Sequence, residues 1–317
     1  MVVAQWLLWG CFGAIALFAI GEGVLRWGFG FGHPPLYVAD PHTGYRLKPD
    51  RQIRRFGNRI TVNAYSMRSP ALREGTTRVL LLGDSIANGG WWTDDEATMG
   101  ALLERGLMQR LPAQVRDRPI EVLNASANSW GPRNELGYLQ RFGTFSAQVV
   151  VLLLNTDDLF AMAPSSLPVG LDPNYPDREP PLAWLELWQR VRPPQMPPQL
   201  QNRPPEPGDR VGLNLAAIAQ IRDLAQGNQA DFLVAITPLV REVAGQGRDY
   251  EAKARDRLVA FARQEGIELL DFLPDWRLAN RSGLFRDSIH LSELGNGLVS
   301  QAIVDRVASL LTLSRSR

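Results

Sequence analysis

The chain has 317 residues, 45% hydrophobic and 21% charged, with 34 Lys plus Arg against 33 Asp plus Glu and a formal net charge of +1. Such a chain buries about three quarters of the surface its unfolded form exposes, which excludes a wholly disordered protein and a staple-dependent miniprotein. The balanced charge lacks the basic footprint of a nucleic-acid binder, and the single cysteine, Cys11, excludes an internal disulfide and a multi-cysteine metal centre without fixing the redox compartment.

Residues 2–21 carry no formal charge and include Trp6, Leu7, Leu8, Trp9, Phe12, Ile15, Leu17, Phe18 and Ile20. Extended through Glu22, Val24 and Leu25, the run reaches the length of a helix crossing roughly 30 Å of hydrocarbon. Arg26 and Trp27 then lie beyond the interface, and Trp6, Trp9 and Trp27 suit interfacial belts. No basic segment precedes the run and no small-x-small cleavage site follows it. Residues 1–27 are therefore read as an uncleaved single-pass anchor, ahead of a cleaved signal peptide or a buried globular helix.

Residues 28–35 are rich in Gly and Pro and read as a linker. A short module follows over 37–68, where Arg59-Ile60-Thr61-Val62-Asn63 has strand composition; it is too small to stand alone and is expected to pack on the main body. Linker and module make up an extension over 28–75. The body, 76–317, opens with Arg78-Val79-Leu80-Leu81-Leu82, stopped by Gly83, and similar apolar runs recur at 120–123, 149–154, 232–237 and 267–270. Helical periodicity lies between them, at 98–111, 135–145, 213–225 and 249–265. A last helix is expected over 292–311, with Leu294, Leu298, Ile303, Val307 and Leu311 on one stripe. Unbroken apolar strands alternating with helices call for an α/β fold, a parallel sheet covered on both faces. Strand order is not readable at this level.

An insertion over 161–210 interrupts the alternation. Thirteen of the 23 prolines fall between Pro164 and Pro207, including the pairs Pro180-Pro181, Pro193-Pro194, Pro197-Pro198 and Pro204-Pro205. A short helix over 182–191 would carry Trp184, Leu185, Leu187 and Trp188. So long a connection is often a lid or a binding loop. The aromatic pair either lines an apolar acyl or glycan site or seals the loop onto the body, the second being preferred.

Two motifs carry chemistry. Gly83-Asp84-Ser85 directly follows the first strand of the body, at the end where open parallel sheets bind ligands. A Ser on a tight turn there is exposed, and the next helix aims N–H groups at developing negative charge. Asp84 suits Asx-type bonding that holds the turn. Asp287-Ser288-Ile289-His290 precedes the last helix, and an acid three residues before a His reaches its ring if the link is a turn. His33 and His42 lie in the linker and module, so any Ser–His mechanism in the body uses His290.

Leu82-Gly83-Asp84-Ser85 and Asp287-Ser288-Ile289-His290-Leu291-Ser292, followed by Gly295, resemble the motifs of the SGNH/GDSL hydrolases. The resemblance covers about residues 76 to 313. It implies a three-layer α/β/α sandwich around a mainly parallel five-stranded sheet of flavodoxin-like topology. It also implies hydrolysis or transfer of ester-linked acyl groups, with Ser85 as nucleophile, His290 as base and then acid, and Asp287 as orienter. The anchor and the Asn63…Arg68 segment are similar to a bacterial, membrane-anchored, envelope-associated branch.

Two middle blocks depart from the pattern. Where the family presents an oxyanion-hole Gly the chain has Ser129, within Asn124-Ala125-Ser126-Ala127-Asn128-Ser129, and a φ > 0 there would strain it. The block Gly-x-Asn-Asp is replaced by Asn155-Thr156-Asp157-Asp158, with Asp157 at the position of the oxyanion-binding Asn. An ionised carboxylate there repels the oxyanion unless it is protonated, turned away, or replaced by Asn155 or Asn128; losing one donor costs about 3–4 kcal/mol.

The expected protein is a membrane-tethered serine esterase acting on O-acyl groups, O-acetyl among them, of an envelope polysaccharide, glycolipid or lipid. Two other classes stay open: an O-acyltransferase using the same residues, and a catalytically degenerate envelope scaffold or glycan-binding protein. Expected partners are the acylated substrate, the membrane and envelope-assembly proteins, with no nucleic acid. The expected place is the bacterial inner membrane, with the catalytic part facing the periplasm or cell exterior. No cofactor is expected. A gathering of Asp84, Asp157, Asp158 and Asp287 at the strand ends would attract a divalent cation, but only one histidine is available to it and no close His/Cys spacing supports zinc, so no metal site is expected.

Overall fold

A computed structural model describes residues 2–112, 118–192, 197–202, 204–279 and 282–314. The Pro193-Pro194 pair lies outside them. The N-terminal run forms helix α1 (Val2–Gly23), continued by a π-helical segment, Val24–Phe29, that stops at Gly30 with φ 77°. None of its side chains is buried; Trp6, Trp9 and Phe12 are 70–73% exposed, which sets aside the buried globular helix. By length and composition the segment can cross a membrane.

Two antiparallel hairpins follow: β1 (Tyr37–Asp40) with β2 (Gly44–Leu47), and β3 (Arg51–Arg55) with β4 (Asn58–Val62). The strand expected near 59–63 is β4. Tyr37, Tyr45, Leu47 and Val62 are buried in the same cluster as Leu80 and Leu82, so the hairpins are packed on the body through apolar side chains.

The body is built on β5 (Thr77–Gly83), β6 (Ile120–Ser126), β7 (Val149–Asn155), β8 (Asp231–Thr237) and β9 (Glu268–Asp271). They form a five-stranded parallel sheet in the order β6-β5-β7-β8-β9. The order reverses at β5, which has β6 on one side and β7 on the other, opening a crevice at their C-terminal ends.

The helices in chain order are α2 (Ser85–Asn88), α3 (Met99–Arg110), α4 (Pro132–Phe142), α5 (Ala183–Val191), α6 (Pro198–Gln201) and α7 (Arg210–Gly227). They are followed by α8 (Val240–Val243), α9 (Asp249–Gln264), α10 (Leu273–Ala279) and α11 (Glu293–Ser314). Alternate strand residues face opposite layers. Leu80, Leu82, Val150, Leu152 and Val234 pack with Leu139, Ile218 and Leu258 of α4, α7 and α9. Val79, Leu81, Val151, Leu153 and Leu233 pack with Leu103, Leu107, Ile303 and Val307 of α3 and α11. This is the parallel sheet covered on both faces that the unbroken apolar strands call for, and the three-layer α/β/α sandwich around five strands that the resemblance implies.

Boundaries moved where capping chemistry overrides periodicity. Helix α4 begins at Pro132 as its first residue and ends before Gly143, φ 73°, rather than spanning 135–145. In α11, Leu294 is 51% exposed while Val299, Ile303, Val307 and Leu311 are buried, so the inward stripe starts one turn later than expected.

The reading of the tryptophan pair needs correction. Trp184 stacks on Phe18 of α1, centroids 5.9 Å apart at 22°, and Trp188 is 53% exposed. The pair therefore neither lines the Ser85 cleft nor seals the insertion onto the body: Trp184 meets α1 and Trp188 is exposed. The reason is Glu22, whose carboxylate accepts from the Ala183 and Trp184 N–H groups at 2.8 and 3.2 Å and draws the start of α5 to α1.

Candidate active site

Gly83 ends β5 in contact with the neighbouring strand β7: a Cβ there would lie 2.7 Å from the Leu153 carbonyl oxygen and 2.8 Å from the Ala87 Cβ. The chain then turns at Asp84, which caps α2 by accepting from the Ile86 N–H at 2.8 Å. This is the Asx-type bond expected of Asp84. Ser85 is left as the first residue of α2, half-buried at the crevice.

The second motif folds back as a turn closed by a bridge between Phe285 and Leu291. Within it Asp287 Oδ1 accepts from the Ile289 and His290 N–H groups at 2.9 and 2.8 Å. Its other oxygen, Oδ2, is 2.8 Å from His290 Nδ1, and His290 Nε2 is 2.9 Å from Ser85 Oγ. Sequence neighbours three apart and a serine 205 residues away thus form one continuous chain of contacts. With the imidazole proton on Nδ1, facing Asp287, Nε2 is free to accept the serine proton. Burial works to raise the Asp287 pKa, but the two N–H donors and the imidazole outweigh it, and the carboxyl sits below its ordinary value.

Two residues that sequence reasoning missed brace this arrangement. The Trp92 ring meets the His290 ring edge-on, centroids 4.9 Å apart, with the Arg286 guanidinium 4.9 Å from the Trp92 centroid. Tyr175 donates to Ser129 Oγ at 2.8 Å. The available signal for the first was Gly90-Trp91-Trp92, a few residues after Ser85; for Tyr175, inside the insertion, there was none. Arg68, at the end of the Asn63…Arg68 segment, is buried. Its guanidinium donates to the carbonyls of Asn88, Gly90, Arg59 and Thr93 and fixes the loop carrying Trp92.

The residues expected on the oxyanion side, Asn128, Ser129, Asn155 and Asp157, all line the cleft. Ser129 adopts φ 56°, the left-handed conformation a glycine takes without strain. Asn155 does not offer its amide to a substrate: Nδ2 donates to Asp84 Oδ2 at 2.8 Å and Asp158 Oδ2 at 3.1 Å. That corrects the expectation that Asn155 could replace the missing donor, and the cause is a buried carboxylate pair that claims both amide protons. Asn128 lines the cleft, its backbone carbonyl accepting from Tyr45 Oη at 2.8 Å and its side-chain oxygen buried without a partner among the described residues. Asp157 also lines the cleft, with Oδ1 3.4 Å from the Arg241 guanidinium, which Glu251 holds at 2.6 Å. Burial raises the Asp157 pKa; Arg241 works against this, while Glu251 and Glu242 add to it.

Beneath the site Asp84, Glu135 and Asp158 are all buried, and burial raises the pKa of each; mutual repulsion adds to the rise at Glu135 and Asp158. The cleft above measures about 540 Å³ and is lined by Trp92, Asn128, Ser129, Asp157, Tyr175 and Arg190 together with Ser85 and His290. His33 and His42 stay outside it; His33 faces Glu179 at 3.3 Å. Among the described residues no three His, Cys, Asp or Glu side chains gather to hold a metal ion.

Comparison with known proteins places a family on this geometry. The GDSL-like Lipase/Acylhydrolase family matches residues 81–298. No curated protein matches the chain. Similar solved structures include an acetyl xylan esterase, AlAXEase, at 15% identity and TM-score 0.49, covering 73% of this chain and 99% of that one. Another is Axe2, an acetylxylan esterase from Geobacillus stearothermophilus, at 14% identity and TM-score 0.47, covering 74% and 95%. A third is the psychrotrophic esterase EstA from Pseudoalteromonas sp., at 14% identity and TM-score 0.43, covering 74% and 99%.

Proposed function

Because this chain belongs to the GDSL-like lipase/acylhydrolase family, we propose that it is a membrane-tethered serine esterase removing O-acyl groups, O-acetyl among them, from an envelope polysaccharide, glycolipid or lipid. The observation that carries this reading is the unbroken contact chain from Ser85 Oγ through His290 to Asp287, at 2.9 and 2.8 Å. Ser85 Oγ attacks the ester carbonyl carbon as its proton passes to His290 Nε2, and Asp287 holds the imidazolium. The oxyanion is held by the N–H groups of Ser85 and Ser129, with the Asn128 amide in place of the family's Asn. His290 then protonates the departing alcohol oxygen, and water, deprotonated by the same imidazole, releases the acid. On this reading residues 1–27 anchor the chain in a bacterial inner membrane, 28–75 form the extension, and 76–317 with the insertion 161–210 form the catalytic part facing the periplasm or cell exterior.

The test is hydrolysis of p-nitrophenyl acetate and butyrate by the full chain in detergent. Ser85→Ala is expected to lower kcat by about 10⁴-fold or more and to abolish labelling by a fluorophosphonate. An unchanged rate in that variant would remove the esterase reading. Measurable glycan binding without labelling of Ser85 would instead support the scaffold.

A second reading is transfer of the acyl group to a sugar hydroxyl. It is favoured by a neighbouring cavity of about 570 Å³ that shares Pro34, Asp172, Pro176 and Arg190 with the Ser85 cleft, offering a place for an acceptor. Transfer products outrunning hydrolysis when candidate sugars are added would establish it.

A further inference from the structure

The catalytic reading leaves unused the outer face of α5. At 100° per residue, Trp184, Trp188 and Val191 lie on the side of this helix opposite Glu186. Glu186 marks the inner side: it is buried, accepts from the Gly32 N–H at 2.6 Å and pairs with Arg55. The outer side begins at Trp184, which stacks on Phe18 and donates from Nε1 to the Phe18 carbonyl at 3.2 Å. Arg26 reaches the Pro181 carbonyl at 2.7 Å, and with Glu22 on the first N–H groups of α5 it clamps the two helices together.

Beyond Trp184 the same face is bare. Trp188 is 53% exposed, Val191 66% and, at its edge, Leu185 38%. The Arg192 guanidinium lies 4.3 Å from the Trp188 ring centroid. Apolar side chains capped by an arginine and a tryptophan have the composition of a helix lying in a membrane interface, where the ring and the guanidinium stem are apolar and their tips remain wet.

From this continuity we infer that α5 is an interfacial helix, docked on the bilayer that holds α1, with Trp188, Val191 and Leu185 at the acyl boundary and Arg192 among the headgroups. The inference rests on the reading of α1 as a membrane anchor. The occupant is lipid because Trp184 joins this face to α1, a helix without one buried side chain. Trp188, one turn after Trp184, lies on the same side of α5, so the face that starts on Phe18 continues past α1. Arg190, nearer the inner side, lines the Ser85 cleft. Docking therefore holds the cleft roughly one helix diameter, about 10–12 Å, from the headgroups, and selects acyl groups presented close to the membrane.

The experiment uses the full chain in phosphatidylcholine–phosphatidylglycerol vesicles with one environment-sensitive fluorophore at a time. The label sits on native Cys11 or, in a Cys11→Ser background, on Trp188→Cys, Val191→Cys or Leu278→Cys. Leu278 is 86% exposed on α10 and serves as the reference position. Replacing the phosphatidylcholine by a form brominated near the top of its acyl chains is expected to quench positions 188 and 191, with blue-shifted emission, and to leave 278 bright. Quenching at 11 without quenching at 188 and 191 overturns the interfacial helix and leaves the anchor standing. No quenching at 11, even with lipid brominated deeper in the chains, overturns the anchor and this inference with it. Equal quenching at 278 also overturns it, as general adsorption. Retained p-nitrophenyl acetate hydrolysis in each labelled protein confirms that the fold is intact.

Discussion

At the scale of single residues, Asp157 decides how well the proposed chemistry runs. Its carboxylate lines the cleft that would hold the oxyanion, and Arg241, 3.4 Å away, supplies a nearby positive charge. A raised pKa means that the repelling charge disappears as pH falls and is fully present once pH exceeds that pKa. Asp157→Asn is accordingly expected to raise kcat/KM on p-nitrophenyl esters by about 10-fold at neutral or higher pH, with the gain shrinking toward acid. Arg241→Ala should lower the activity of the parent chain and do little in the Asp157→Asn background; a pH series on the four proteins checks both. Asn128→Ala removes the only side-chain amide assigned to the oxyanion here and should lower kcat by about 100-fold, with KM nearly unchanged, as steady-state kinetics would show.

At the scale of elements, α4 carries an unusual load for a helix packed on the sheet. Glu135 is fully buried, and neither carboxylate oxygen has a partner among the described residues. Burial raises its pKa and Asp84 adds to the rise. The folded state therefore holds this proton more tightly than the unfolded chain does. Its contribution to stability is complete below the ordinary carboxylate range and is lost as pH rises through the elevated value. Glu135→Met keeps the volume and removes the ionisable group. It is expected to raise the unfolding temperature by roughly 2–10 °C at pH 7.5 and by less near pH 4, measured by thermal unfolding of the full chain in detergent.

At the scale of the whole molecule, one ion pair holds the N-terminal segment, the second hairpin and the insertion together. Arg55 is completely buried and pairs with Glu186 of α5, while its guanidinium also reaches the Gly30 carbonyl and lies over Phe31, Phe56 and Trp91. Removing one partner strands the other in an apolar setting. Glu186→Ala is expected to cost about 3–5 kcal/mol, and Arg55→Met with Glu186→Leu to recover much of that loss. Burial works to raise the Glu186 pKa, but the Arg55 bond, with Arg190 and the Gly32 N–H, holds it below its ordinary value. The pair's contribution is thus present above the ordinary carboxylate range and lost on acidification through the lowered value, which unfolding curves at pH 7 and below 4 would display.

The sequence by itself determined the layered α/β body, because strands buried on both faces read as near-continuous apolar runs: residues 149–154 are apolar without interruption, and every residue of β7 is buried. It also marked Ser85, Asp287 and His290, since each motif is local and the turn between Asp287 and His290 needs only three residues. The tertiary structure alone decided the order β6-β5-β7-β8-β9, because parallel pairing is set between distant segments. It likewise decided the fate of Asn155, whose amide is claimed by Asp84, 71 positions away. The environment of Trp184 was beyond reach for the same reason: Glu22, 161 positions before Ala183, caps α5 and takes the insertion to α1. Periodicity records which side of an element is apolar. What that side meets depends on contacts between residues that no local pattern relates.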